Sequence, residues 1–543
     1  MKRRAFAAIA ATVFLFTAGC SGDEPTRIDS YSDDPRVLNI VLGSEQTTVF
    51  DRVVRPWCER EGLTCTATPM GSVDQAVLLD RDDCASLPPY DVFWFASSVF
   101  AQLGDRACGS LTGSATTFSS PIVFAGWRQR MAGLGFTPGS DTTIESILAA
   151  VESGRTRVWI TNPAQSNSGA TVLLGFLNHF AGNPPGTPLS MAQLESPQVR
   201  DGITRFARAF SYTPPSTGTM MGECVAQPDR CDGVFTYEAL VLEQNRELAA
   251  QGREPMTVVY PQGSLAFADS PIAFLPHGAN TAKQANFERL RDYLLGPEAQ
   301  QMLTRLGRRP NSGIGLALPD APRDVFDPAW GVETAKTEQP VTFPAVDVIQ
   351  AALDNYQTRY RRPGDFVYCI DGSGSMEGPG WDGVEDAVRS LLDPELSRKH
   401  KLLVNPQDST TMIVFDSTIK GGPWTVDGND PGELTELKDR VLALGPTGGT
   451  DIRRCLGEAA RVLREHAADG RKRTVVLMTD GQDSGSDNAA IRQLTALGVP
   501  VLAIGFGDVD ERDLRGIASG TGGSYLPAGD DVSTALRTAA AFR

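Results

Sequence analysis

From Val37 onward, short apolar strands alternate with segments of helical period, and this alternation constrains the fold more than any other feature. Val37-Leu-Asn-Ile-Val-Leu42 is an apolar strand broken by Gly43-Ser44-Glu45-Gln46. Val49 to Glu61 has helical period. Tyr90 to Phe95 is a second strand, ending at Ala96-Ser97-Ser98. Val158 to Pro163 leads through Ala164-Gln-Ser-Asn-Ser-Gly-Ala170 into an apolar helical run, Thr171 to Phe180. Strands separated by helices predict parallel βαβ units, whose ligands sit past the carboxyl ends of strands, often at helix N-termini. These strands end in small hydroxyl residues, as a polar or anionic ligand requires. Ser166 or Ser168 is placed to cap the helix that follows, and the amides there are available to an anion.

Length and charge narrow the function. At 543 residues the chain predicts about three domain-sized units. The net charge of −16 excludes nucleic acid as a partner, because neutralising phosphates needs a basic face. The four histidines, His179, His277, His400 and His466, lie far apart, which argues against a multi-histidine metal site. No Gly-x-Ser-x-Gly elbow and no phosphate-binding P-loop occurs, so the chain is expected not to be an enzyme.

The C-terminal third carries the sharpest motif. Asp365 to Ile370 is an apolar strand running directly into Asp371-Gly-Ser-Gly-Ser375. Its glycines allow a tight turn that aims three oxygen side chains at one point, as a hard dication requires. Gly445-Pro-Thr-Gly-Gly-Thr450 precedes a helix beginning at Asp451. Arg473 to Asp480 is a second apolar strand, ending in Asp480-Gly481. Together these resemble the von Willebrand factor A (VWA) domain and its metal-ion-dependent adhesion site. The resemblance covers about 363–543. It implies a doubly wound, Rossmann-like α/β fold and a metal site of Asp371, Ser373, Ser375, Thr450 and Asp480. Thr447 competes with Thr450, but Thr450 matches the family position after Gly-Gly. Asp416 reads as a turn residue, and Asp483 and Asp487 as a solvated loop. The implied ion is a divalent cation, Mg²⁺ first, with Mn²⁺ or Ca²⁺ as alternatives. It implies an open coordination position that a protein partner fills with a carboxylate.

The span 37–335 resembles a type II periplasmic solute-binding protein. The likeness is carried by Gly43-Ser44-Glu45, Tyr90-Asp91 with Ala96-Ser97-Ser98, Ser119-Ser120-Pro121, Gln165 to Gly169, Thr236-Tyr237-Glu238 and Ala268 to Pro271. It implies a two-lobed α/β fold closing on a small solute. Lobe I would be 37–120 and 263–335, and lobe II 121–262. Ser119–Gly126 and Leu265–Leu275 would cross between them. The implied ligand residues are Ser44, Glu45, Ser97, Ser98, Ser120, Gln165, Ser166, Asn167, Ser168 and Tyr237. An oxyanion, a polar organic solute or a peptide end would suit this set. Phe343 to Tyr360 has helical periodicity and ends at Arg361-Arg362-Pro363-Gly364, so 336–362 reads as a helical linker.

The N-terminus explains an odd cysteine count. Lys2-Arg3-Arg4 precedes a short apolar run that ends in Thr17-Ala18-Gly19-Cys20. This resembles the lipobox of bacterial lipoproteins, which implies a signal peptide over 1–19, lipid on Cys20 and a flexible tether over 20–36. The membrane would then be met through the lipid alone, on the extracytoplasmic face. Of nine cysteines, eight remain. In an exported chain an even set suggests disulfides, and proximity ranks Cys58–Cys65, Cys84–Cys108, Cys224–Cys231 and Cys369–Cys455 first. Two functions are in view. One is an anchored binding protein with a solute module and a metal-dependent docking module. The other is the solute receptor of an ABC-type uptake system with an accessory VWA domain.

Overall fold

The computed structural model describes residues 28, 30–184, 186–210, 212–263, 265–310, 316–336, 340–466, 470–481, 488–506, 509–528 and 532–540. The expected signal peptide and Cys20 lie outside them, as do Asp483 and Asp487.

Residues 37–127 supply most of one sheet and cross into a second. Strands β1 (Val37–Leu42), β2 (Thr64–Pro69), β3 (Val92–Trp94) and β4 (Thr112–Thr116) belong to lobe I. Strands β5 (Phe118–Trp127), β6 (Val158–Trp159), β7 (Gly233–Tyr237) and β8 (Met256–Val259) belong to lobe II. The chain returns through β9 (Phe267–Ala268) and β10 (Pro271–Phe274), and β11 (Arg309–Pro310) follows. The lobe I sheet has the order β2-β1-β3-β10-β4, with β1 parallel to both neighbours and β10 antiparallel. β5 is the crossing strand: β9 and β11 pair with its lobe I end, and β7 and β8 with its lobe II end.

Two boundaries differ from the sequence expectation. The segment 316–335, expected in lobe I, also leans on lobe II: the Gly331 backbone lies against the Val258 carbonyl, the Glu333 amide donates to the Tyr260 hydroxyl, and Val325, Phe326, Trp330 and Val332 join a core that spans both lobes. Apolar burial drives this, and no periodicity in the segment announces it. The tether is not free along its whole length. Tyr31 stacks on His277, and Lys283 and Asn286 bond the main-chain carbonyls of Ser32 and Pro35.

The linker is a helix, Val346–Asn355, continued by a wider turn, Tyr356–Tyr360. It is not a free spacer. Ile349 and Leu353 are fully buried. The helix packs on Ser98–Asp105 of lobe I and on Asn167–Phe180 and Met191–Leu194 of lobe II.

The third unit is a six-stranded sheet: β12 (Gly364–Asp371), β13 (Ser409–Phe415), β14 (Ile419–Asp427), β15 (Lys472–Thr479), β16 (Val501–Gly505) and β17 (Tyr525–Pro527). Its order is β14-β13-β12-β15-β16-β17, parallel except for β14. Each central strand reads as a near-continuous apolar run because helices cover both faces. One core holds Trp381, Val384 and Leu391, and the other Cys455, Leu456 and Leu463. The four expected disulfides are all present: Cys58–Cys65, Cys84–Cys108, Cys224–Cys231 and Cys369–Cys455. The last ties β12 to helix Ile452–Glu465 across the second core.

Candidate functional sites at two sheet edges

β12 delivers Asp371 to the carboxyl edge of the third sheet, where it is fully buried. The next turn folds back on it: the Ser373 amide donates to Asp371 Oδ1 at 2.9 Å. Ser373 Oγ and Ser375 Oγ lie 3.0 Å apart. Thr479, at the end of β15, donates its hydroxyl to Asp371 Oδ2 at 2.5 Å, so the next residue, Asp480, comes to the same edge. Burial holds the Asp371 carboxyl above its usual range, and the Asp480 charge adds to that. The Gly445–Thr450 loop is drawn in by the Gly374 amide, which donates to the Gly448 carbonyl at 3.0 Å. Thr450 is nearly buried there.

Thr447, the competing threonine, is already engaged: its hydroxyl accepts from Lys420 Nζ at 2.7 Å, and its amide donates to the Gly372 carbonyl. Asp416 behaves as a turn residue, accepting from the Thr418 amide and hydroxyl. Lys420 and Thr479 were not foreseen. Lys420 also bonds the carbonyls of Gly372 and Gly445, clamping two loops together. A threonine just before the expected aspartate was the only available signal for Thr479. Among the described residues, no cluster of three or more His, Cys, Asp or Glu side chains has metal-holding geometry. The edge offers two carboxylates and several hydroxyls instead, an all-oxygen set that suits a hard dication.

The second site lies between the lobes. Ser44 and Glu45 follow β1, and Ser97 follows β3, at the carboxyl edge of the lobe I sheet. Gln165 to Ser168 begin helix Asn167–Phe180 of lobe II, and Tyr237 ends β7. The lobes touch here. The Gly218 amide of lobe II donates to Ser44 Oγ at 3.0 Å, and Gly71 of lobe I has no room for a Cβ beside the Gln165 carbonyl. Asn167 Nδ2 donates to the Tyr237 hydroxyl at 2.8 Å. Ser168 Oγ lies 2.7 Å from Thr217 Oγ1. Burial pushes the Glu45 carboxyl up to about 7. Burial, and then the Glu45 charge, pushes Tyr237 well up.

Two of the expected ligand residues also make bonds within the protein. Ser120 Oγ accepts the Ala239 amide at 3.1 Å, in the first turn of helix Glu238–Ala250. The Ser98 amide is taken by Asp269 Oδ1 at 2.8 Å. Several side chains near the cleft have a buried polar atom with no partner in the protein: Ser97 Oγ, Gln165 Nε2 and Asn167 Oδ1 among those expected, and Gln46 Oε1 and Gln75 Oε1 among those not. Gln75 was legible only as a polar residue inside the apolar helix Ser72–Leu79.

An interlobe site of this kind, followed by a doubly wound sheet with an oxygen-lined edge, defines a solute-binding protein fused to an adhesion-type module. The family comparison agrees. The model described as bacterial extracellular solute-binding protein matches residues 38–309, half of the chain, and the chain belongs to that family. The von Willebrand factor type A domain model matches residues 365–538.

Individual relatives are distant. The human collagen alpha-1(XX) chain is 30% identical over 169 residues, covering 29% of this chain but only 12% of its own length. The sulfate-binding protein SubI from Mycobacterium tuberculosis H37Rv is 16% identical with a TM-score of 0.40, covering 59% of this chain and 98% of its own. A von Willebrand factor type A protein from Catenulispora acidiphila is 22% identical with a TM-score of 0.29, covering 34% of this chain and 44% of its own. Solute-binding and VWA domains are generally non-catalytic, VWA domains usually bind a divalent cation, and the matched solute-binding family is extracellular. Among the described residues, no helix is long and apolar enough to cross a membrane.

Proposed function

We propose that this chain is an extracytoplasmic lipoprotein, anchored at Cys20, that binds a small solute between its lobes and a protein partner through a metal ion on its VWA domain. The observation that carries the second half is the convergence of Asp371, Ser373, Thr479 and Asp480 at one sheet edge. Two acids near each other in a largely buried setting repel, and a dication relieves that repulsion. Asp371, Ser373, Ser375, Thr450 and Asp480 would hold the ion, Mg²⁺ by the hardness of the set. When bound, the ion supplies an electrophilic centre for a partner carboxylate. The chain's own residues hold the loops, through Lys420 and the Gly374–Gly448 bond.

The linker supports coupling between the two sites. It contacts both lobes, its last residue Arg362 bonding the Arg208 carbonyl of lobe II at 2.7 Å, and the VWA domain reaches lobe I, where Arg537 pairs with Asp74 at 3.1 Å. Lobe closure would therefore move the VWA domain against its supports. Service to an uptake permease is the second reading. It expects genes for a permease and an ATPase beside this one, and their absence favours the first.

The test is native mass spectrometry with metal analysis on residues 31–543. One divalent ion per chain and a retained small molecule are expected. Asp371→Ala should lose the ion and keep the small molecule. Metal content unchanged by that substitution refutes the assignment.

A further inference from the structure

The two walls of the cleft have opposite chemistry. Lobe I presents acceptors. Gln46 Nε2 donates to the Phe95 carbonyl at 3.1 Å, and Gln75 Nε2 to the Met70 carbonyl at 2.9 Å. Carbonyls only accept, so these bonds fix which end of each amide is the oxygen, and both oxygens are buried without a partner in the protein. Both side chains reach the end of β3, since Gln75 Nε2 also approaches the Trp94 carbonyl. Glu45 stands beside them, 7% exposed, with its charge felt by Tyr237 across the cleft. Arg308, the cation behind Glu45, is engaged by Glu243 and by the Glu45 carbonyl.

Lobe II presents mainly donors: Asn167 Oδ1 also lacks a partner there, but that amide bonds the Tyr237 hydroxyl, which donates as well as accepts, so either end of it can face a guest. Helix Asn167–Phe180 is 14 residues long, and its N-cap, Ser166, makes no side-chain bond to the first turn. Thr161 Oγ1 takes the Gly169 amide at 2.8 Å, which leaves the two amides before it to a guest. Gln165, only 1% exposed and touching Gly71 of lobe I, carries the unpartnered Nε2.

We propose that the cleft takes a small zwitterion, with its anionic group on the first turn of helix Asn167–Phe180 and its N–H-bearing cationic group against Glu45. An oxyanion alone would meet a carboxyl and two amide oxygens on lobe I. An amine alone would leave the lobe II amides buried and unpaired. Burial drives Glu45 towards its neutral form, and a cation beside it restores the charge. This class rests on reading the interlobe cleft as the solute site.

The test is the melting midpoint of the full chain with four probes: a mixture of α-amino acids, ethylamine, acetate and sulfate. The mixture should raise the midpoint and the single-charge probes should not. Glu45→Gln, which keeps the shape of the side chain, should weaken binding of the mixture roughly 30-fold or more. A shift with sulfate or acetate equal to that of the mixture and indifferent to Glu45→Gln overturns the zwitterion, as does no shift with the mixture. Failure of the cleft reading looks different. It is a shift that persists undiminished in Glu45→Gln, Gln165→Ala and Asn167→Ala alike.

Discussion

The two candidate sites answer the same structural problem in opposite ways. Both lie past the carboxyl ends of parallel strands, where β1 and β3 end in lobe I and where β12 and β15 end in the VWA domain. The VWA edge gathers all its oxygens from one sheet, and main-chain bonds hold its loops. The cleft gathers its polar groups from two sheets that meet only when the lobes touch. The first is set by local turns and the second by apposition. A fixed site can carry two neighbouring acids where a bound ion would balance them, as proposed for Asp371 and Asp480. A closing site buries whatever it presents, so it carries few charges, and its acid is driven towards neutrality.

The sharpest break in that comparison is mechanical. The Cys369–Cys455 bridge closes an 86-residue separation through the VWA core, whereas Cys58–Cys65 closes one of 7 in lobe I. The chain-entropy argument assigns about 4–5 kcal/mol to the long loop and about 2 kcal/mol to the short one. Cys369→Ala with Cys455→Ala should therefore lower the VWA unfolding transition more than Cys58→Ala with Cys65→Ala lowers that of lobe I. Calorimetry of the two double variants checks this; equal losses would mean that the fixed site is not the more dependent on its covalent tie.

Next in size is the ion. Asp371→Ala removes a buried carboxylate from the set and should weaken metal binding by more than about 100-fold, or roughly 3 kcal/mol, while the solute affinity stays the same. Titration calorimetry with Mg²⁺ and with the solute measures both. A simultaneous loss of solute binding would merge the two sites into one.

The pH dependence separates them further. Glu45 sits at about 7 when buried, above its ordinary value of 4.5. A carboxyl raised in this way contributes stability that is fully present below about 4.5 and is lost as pH rises through about 7. Closure without solute should weaken by up to about 3 kcal/mol across that window, and Glu45→Gln should flatten the dependence. Small-angle scattering against pH reads closure directly. A pH profile that Glu45→Gln leaves unchanged would move the titrating group elsewhere.

How much of this the sequence carried follows from the same contrast. The alternating strands, the Asp371 turn and the close-spaced cysteines are local patterns, and each was legible from spacing alone. Gln46 and Gln75 were not, because nothing in one sequence separates a buried glutamine from a solvated one. The contact of the 316–335 segment with lobe II was not legible, because its apolar residues have no period and only the surface they meet decides where they pack. Ser120 was expected as a ligand residue, and its hydroxyl also accepts a first-turn helix amide, that of Ala239. A serine's hydroxyl serves either use, and the choice depends on which helix N-terminus arrives beside it.

The smallest expected effect bears on whether the two sites communicate. Among the described residues, two ion pairs join lobe I to the VWA domain. Lys399–Asp82 is at the surface, with the Asp82 side chain 95% exposed, so Lys399→Ala should cost less than about 1 kcal/mol. Arg537–Asp74 is largely buried, at 5% and 13% exposure, and removing Arg537 takes this cation away from an enclosed carboxylate. If the VWA domain and linker helix act as a strap across both lobes, Arg537→Ala loosens it on one side only. Opening then costs less, and the dependence of partner affinity on solute should shrink. Linkage makes the effect reciprocal, so the same variant must reduce the influence of partner on solute affinity by the same factor. Measured by calorimetry in both directions, equal reductions mark a shared closing equilibrium. Solute and partner affinities that ignore each other in the unaltered chain would leave two independent sites on one polypeptide.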